Sequence, residues 1–524
     1  MNKESMQKKL KWITWPLIVV SFIISVAGYL VAGFSVPNAI YATVGVFHFS
    51  LTDVPEMNIW LEFARWLAPF SIATTVFIQI GPLFCFVRDR FFFLKYRCLI
   101  YSDTEMGKAL YQSRGKTGGE KEKLKIQAVL SDKKTIYRGE KKAKTIIVMM
   151  KDDRKAFQIY DRIRKYKNTR IILSLNSLEP NLIPSTGKTT LFNSNDLIAG
   201  AFWDNQLKLK EMKKETEDGS FWKAPDRDIH IVINGYGMLG RRLLYKGLLL
   251  NLFSLQQKIV YHVITEDYIE KKHLMELRRC CKKLTYNDNE ILPDEVTAVN
   301  LDEIHFYQKA DDCEIINQAE AVILTEESDP GELQKWLYIT RKTVIYYFDP
   351  KGSRIEYNLS VEERGKIDLE ASKPYERLTS YGVYSKVIRA DKLIYNRLND
   401  EARSFYMEYY MAKQRAEKGG DDWEKLPGFK RGLFLNQVDY SEIGVLDWHD
   451  LNINAKLGHM HWCRYYLLNH WFYDNKEKDW ENRTHPCLVS YDVLDKDKKE
   501  KNEAIISYLI KRNNKKEKEN KKIV

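Results

Sequence analysis

The chain has 524 residues, enough for two to four domains, and a mean hydropathy of −0.44, which excludes a protein embedded in lipid along its whole length. Lys and Arg number 83 against 71 Asp and Glu, and the resulting +12 suits an anionic surface or ligand without identifying one. The seven cysteines include no CxxC pair, which argues against a zinc ribbon or a disulfide framework.

Two uncharged apolar runs, residues 12–34 (WITWPLIVVSFIISVAGYLVAGF) and 66–87 (WLAPFSIATTVFIQIGPLFCFV), are each long enough to predict a membrane-spanning helix. Lys3, Lys8, Lys9 and Lys11 precede the first, and Arg88, Arg90, Lys95 and Arg97 follow the second. No Lys or Arg stands between Ser35 and Leu61, so the charge rule predicts both termini on the cytoplasmic side, with residues 96–524. Residues 1–95 then form a membrane region. Its segment 39–49 reads either as a re-entrant, pore-type helix or as a connector with no conducting role. SLTDVP (50–55) would stand where a filter lies, but it lacks a filter's paired glycines. Tyr41, Thr43, Ser50, Thr52 and Asp53 are the pore candidates.

Beyond residue 95, short apolar strands alternate with charged helical patterns, which predicts parallel α/β domains. Residues 96–215 carry expected strands at 97–101, 126–130, 145–150 and 170–175, and an amphipathic helix over 153–166. The turn after the first strand, SDTEMG, keeps only Gly107, so this domain retains a Rossmann-like pattern without the glycines of a ligand site. STGKTT (185–190) is not a phosphate loop, because position 182 is Leu182 where a glycine is required.

Residues 226–380 form a second such domain. Its first strand, 229–233, runs into Gly235-Tyr236-Gly237-Met238-Leu239-Gly240 and then a helix, the context of a dinucleotide fingerprint. Gly235 would make the turn, Gly237 would let the backbone meet a phosphate, and Gly240 would let helix and strand close up. The next strand ends at Glu266 and Asp267, placed to bind ribose hydroxyls. A structural glycine turn with no ligand is the alternative. Further strands are expected at 321–325 and 343–349. Tyr268–Lys272 and Tyr338–Lys342 have Tyr-x-x-x-Lys spacing but no partner serine or His–Asp pair, so no catalytic residue is assigned.

AIYATVGVFHF and WLEFARWLAPF, followed by GYGMLG, resemble bacterial potassium-channel-like proteins carrying RCK (TrkA-N-type) domains. The resemblance covers roughly residues 12–350. It implies a homo-oligomer, a tetramer, in the bacterial inner membrane. The C-terminal part resembles a RyR domain, the repeat of ryanodine receptors. His459, Trp462, Trp471, Tyr473, HPCLV at 485–489, Tyr491 and Leu494 carry that likeness. The chain departs from the pattern at Gly458, His461 and His470, the last standing where a glycine is frequent. The domain is placed at 390–512, with a basic tail at 513–524 expected to be solvated and disordered. His459, Trp462, Arg464, Trp471, His485 and Tyr491 are candidates to stack on a base and hold a phosphate. His459 and His461 alternate on a helix and cannot share a metal, and none is expected.

The expected fold is therefore multidomain: two transmembrane helices with a re-entrant-like pore helix, two Rossmann-like domains, and a mainly α-helical RyR domain. The expected function is nucleotide sensing that controls an ion channel or channel-like effector, in bacterial signalling or phage defence. A non-conducting membrane sensor or scaffold is the alternative, and a membrane-tethered NAD(P)-dependent oxidoreductase a lesser one. The ligand would be NAD(H)-like, ATP or ADP, or a nucleotide second messenger; no nucleic-acid partner is expected.

Overall fold

The computed structural model describes residues 3–48, 50, 52–54, 56–73, 98–113, 126–129, 140, 143–177, 189–205, 214–215, 222–223, 228–255, 257–292, 302–308, 313–340, 343–353, 376–389, 393, 397–411, 423, 426–442 and 450–523. They fall into two bodies, one over Met1–Lys95 with Ile136–Gly139 and one comprising the rest.

In the first body, α1 (Lys3–Val31), α2 (Val36–Phe47) and α3 (residues 59–73) pack around Tyr29, Ala39, Ala42, Val46, Leu61, Ala64 and Ala68. Pro37 in the first turn of α2 suits a helix start, where its missing N–H costs nothing. Asn58 ties α3 to α1: its Nδ2 donates to Gly28 O at 2.8 Å and its Oδ1 accepts from Leu61 N at 3.0 Å. Here the sequence reading needs correction. Among the described residues, no helix is long and apolar enough to cross a membrane. Of the second apolar run, residues 74–87 lie outside the described residues. The two-span fold and the inner-membrane location are withdrawn accordingly. The expected pore helix is a packing element instead, starting at Val36 and burying Ala39, Ala42, Thr43 and Val46.

The second body opens with β1 (Cys98–Ser102), α4 (Glu105–Gln112), β2 (Ile126–Val129), β3 (Thr145–Met149), α5 (Asp153–Ile163), β4 (Arg170–Ser174), β5 (Thr189–Phe192) and α6 (Ser194–Asn205). The sheet is parallel, with order β2-β1-β3-β4-β5. β1 and β3 are buried at every residue, as the near-continuous apolar runs of a sheet covered on both faces require. β5 falls within and just after STGKTT, so Thr189 and Thr190 are strand residues. A two-strand ladder, β6 (Lys214–Glu215) with β7 (Trp222–Lys223), follows.

The larger sheet contains β8 (Ile229–Asn234), α7 (Met238–Leu250), β9 (Ile259–Ile264), α8 (Lys271–Arg278), β10 (Lys283–Tyr286), β11 (Asn289–Glu290), β12 (Glu303–Tyr307), α9 (Cys313–Gln318), β13 (Ala321–Leu324), α10 (Pro330–Ile339), β14 (Val344–Phe348) and β15 (Leu378–Tyr381). Its order is β11-β10-β12-β9-β8-β13-β14-β15, parallel except for the β10–β11 hairpin. From β12 onward this is the 3-2-1-4-5-6 order of a doubly wound Rossmann sheet, with an added hairpin on one edge. The chain reverses direction across β8, so the crevice at the C-terminal ends of β8 and β13 is the switch point where such sheets take ligands.

After α11 (Tyr384–Val387) come α12 (Arg397–Phe405), α13 (Gly428–Glu442), α14 (Leu451–Leu468) and α15 (Lys496–Ile523). Phe429, Leu433, Tyr440, Leu457, Tyr465 and Trp471 from this region join Leu243, Leu248, Tyr261 and Phe306 of the larger sheet in one apolar cluster. The backbone of α15 stays helical to Ile523, through the expected disordered tail, because that Lys- and Glu-rich stretch is made of strong helix formers.

Candidate nucleotide site and aromatic cluster

The turn after β8 is built by three glycines in three different situations. Gly235 has φ +100°, a left-handed conformation costly for other residues, and its N–H donates to Ile264 O at 2.8 Å, tying the ends of β8 and β9 together. A Cβ on Gly240 would lie 2.0 Å from Gly235 O, so only glycine lets the helix start close on the strand. A Cβ on Gly237 would meet nothing within 4 Å. Gly237 caps α7 without a side-chain acceptor, so it leaves the first-turn amides of α7 uncapped by its own side chain, and a helix N-terminus favours an anion. Glu266 and Asp267 stand exposed just beyond β9, on the strand next to the turn. Tyr236 is buried; its OH is hydrogen-bonded to His273 Nε2 at 2.9 Å, and the Arg241 guanidinium lies 5.3 Å from its ring centre. Burial holds the Tyr236 phenol well above its usual range, so the OH remains a donor.

The corresponding turn of the smaller sheet is occupied by its own side chains. Thr104 Oγ1 accepts from Gly107 N at 3.3 Å, Ser102 Oγ accepts from Thr104 N at 3.1 Å, and Asp103 Oδ1 accepts from Lys151 N at 2.7 Å.

The C-terminal region gathers a second group. Trp462 and Tyr466 are 4.2 Å apart between ring centres, Trp462 and His485 4.9 Å, Tyr466 and Trp471 5.0 Å, and Trp471 and Trp480 5.1 Å. Lys478 Nζ lies 5.0, 4.9 and 4.5 Å from the ring centres of Tyr466, Trp471 and Trp480. Burial, then Lys430, brings the Lys478 amine down to about 8, and burial, then Lys478, brings His485 down to about 4. Residues 438–513 match the RyR domain family.

A comparison with curated proteins found no match. Among solved structures, a mutant of GsuK is 11% identical, with 76% of this chain and 100% of that one covered and a TM-score of 0.28. Shikimate dehydrogenase of Mycobacterium tuberculosis is 9% identical, covering 56% and 90%, with a TM-score of 0.25. NAD-dependent formate dehydrogenase of Staphylococcus aureus, in complex with NAD, is 11% identical, covering 62% and 98%, with a TM-score of 0.19. Likenesses at such scores carry no argument, and the Rossmann reading rests on the strand order.

Within the RyR domain the six candidates divide. Trp462, Trp471 and His485 belong to the aromatic cluster, although Trp471 is fully buried. His459 faces the other side of Trp462, with Nε2 2.9 Å from Val489 O, and Tyr491 donates to Glu503 at 3.1 Å. Arg464 is buried away from all of these. Its Nη1 lies 2.9 Å from Asp302 Oδ2 and 2.6 Å from Leu248 O, so it anchors the RyR domain to the larger sheet rather than offering a charge to a ligand. His461 stacks on Tyr440 at 4.5 Å, on a different side of α14 from His459. Among the described residues, no group of three or more His, Cys, Asp or Glu could hold a metal. Lys478 and Tyr236 were not singled out from the sequence; the aromatic spacing around Lys478 was its only signal.

In the first body the pore candidates differ in exposure and partners. Tyr41 is exposed, whereas Thr43 is buried with its hydroxyl on Ala39 O at 2.8 Å. Ser50 N donates to Gly45 O, Thr52 N to the Tyr29 hydroxyl, and Asp53 is exposed. Tyr268 and Tyr338, of the Tyr-x-x-x-Lys pairs, project from the surface.

Proposed function

We propose that the chain is a nucleotide sensor whose larger α/β domain binds a nucleotide or dinucleotide at the Gly235–Gly240 turn. The phosphates sit on the first-turn amides of α7, and Glu266 or Asp267 takes the ribose hydroxyls. The observation that carries this reading is Gly237, which faces open space between two glycines that are tightly packed. A merely structural turn has no need of glycine there, since φ −67° is open to any residue.

The test uses the full chain, titrated calorimetrically with NADH, NADPH, ADP and ATP. At least one should bind, and Gly237→Ala should weaken it by about tenfold or more without moving the unfolding midpoint. If none binds at about 1 mM, or if Gly237→Ala binds equally well, the reading fails.

A second reading is favoured by the exposed Trp480 beside Lys430 and Lys478, where a base would stack and a phosphate find charge. Trp480→Ala would then abolish binding that Gly237→Ala leaves intact.

A further inference from the structure

His470, just before Trp471, has a left-handed backbone with φ +63°. Glycine takes this conformation freely, whereas a histidine there carries strain. The side chain gives a reason for it. His470 Nδ1 lies 3.6 Å from Glu276 Oε2 on α8. The same oxygen lies 3.7 Å from His273 Nδ1, and His273 Nε2 is the group hydrogen-bonded to Tyr236 of the glycine turn. A chain of polar groups therefore runs from the phosphate-facing turn, through two residues of α8, into the RyR domain.

A second contact joins the same elements, with the Arg279 guanidinium 4.0 Å from the ring centre of Phe472. Phe472 in turn pairs with the far side of the RyR loop: its N–H donates to Arg483 O at 2.8 Å, and its carbonyl accepts from His485 N at 2.9 Å. Moving His470 and Phe472 thus moves the edge of the aromatic cluster. Both contacts of Glu276 are longer than a hydrogen bond, so a sub-ångström shift brings either imidazole within hydrogen-bonding distance of the shared oxygen. Such an element has two arrangements that a ligand can bias.

We propose that His470 is a coupling residue through which occupancy of the Gly235–Gly240 turn reaches the RyR aromatic segment, by way of Tyr236, His273 and Glu276. The proposal rests on the nucleotide reading of that turn.

The experiment is amide hydrogen exchange on the full chain, with and without whichever of NADH, NADPH, ADP or ATP binds. Two segments are followed: 235–240, which reports binding, and 470–485, which reports coupling. In the unaltered chain, ligand should slow exchange in both, with a change of about fivefold or more in the second. His470→Gly keeps the backbone conformation, so the variant should fold; Glu276→Gln keeps the shape and removes the shared charge. Both should retain affinity within about threefold and protection of 235–240, yet lose the added protection of 470–485. Full ligand-induced protection of 470–485 in both variants overturns the coupling role, as does bound ligand that leaves 470–485 unchanged in the unaltered chain. If none of NADH, NADPH, ADP and ATP protects 235–240, the underlying nucleotide reading fails, and the coupling proposal with it.

Discussion

After β1 the chain turns through Ser102, Asp103 and Thr104; Thr104 caps α4 by accepting from Gly107 N, Ser102 accepts from Thr104 N, and Asp103 accepts from Lys151 N beyond β3. After β8 it turns through Gly235, Tyr236 and Gly237, and α7 starts with no side-chain cap. Both turns leave a parallel strand beside a switch point, so sheet topology alone does not decide which can hold an anion. What decides is whether the helix-start amides are already in use. The two domains also differ at the far end of that helix. At α7, Leu248 O and Leu252 O accept from Arg464 and Tyr440 of the RyR domain, whereas α4 packs on the short helix α11.

The largest test of this contrast is Asp302→Ala, which leaves Arg464 buried without its carboxylate. We expect a loss of about 3–5 kcal/mol, read from urea midpoints followed by tryptophan fluorescence. An unchanged midpoint would show that the RyR domain is not anchored there. Next, Gly240→Ala forces a Cβ against Gly235 O and should cost about 2–3 kcal/mol, in contrast to the near-silent Gly237→Ala. Equal effects of the two alanines would erase the distinction between packed and open glycines.

Acid offers a third test. Burial lowers His262 and His461 from 6.5 to about 3 each, with neighbouring positive or imidazole groups adding to it. An imidazole whose folded value lies below its unfolded one adds stability that is complete above pH 6.5 and is lost as pH falls toward the folded value. At pH 5 each should have lost about 2 kcal/mol. Residues 98–205 contain no histidine, so hydrogen exchange, corrected for its intrinsic pH dependence, should show the larger sheet and RyR domain opening first. Simultaneous opening of the smaller sheet would contradict this. The smallest effect is expected from Thr104→Ala, a lost cap of about 1 kcal/mol confined to the smaller sheet.

The strands around 98, 145, 170, 229 and 321 were legible because buried parallel strands are short, almost wholly apolar runs. The glycine turn was legible because its motif directly follows one of them. β10 and β12 were missed: KLTY and EIHFY mix polar and apolar residues, since one face of each strand carries Thr285, Glu303 and His305. Arg464 was visible as a charge, but its fate was not. Its partner Asp302 lies 162 positions away, and no local pattern announces such a pair. The apolar runs near the N-terminus were legible as apolar; in the fold, the segment between them buries a face of small residues instead of forming a pore helix.

The apolar cluster shared by the larger sheet and the RyR helices bears on how this protein can be divided. Cutting the chain between β15 and α12 would strip Phe429, Tyr465 and Trp471 from the surface that Leu243, Leu248 and Tyr261 present. Each half would then expose an oily face and tend to precipitate when expressed alone. The two regions should melt as one cooperative block, so in this chain the RyR sequence boundary is not a boundary of folding.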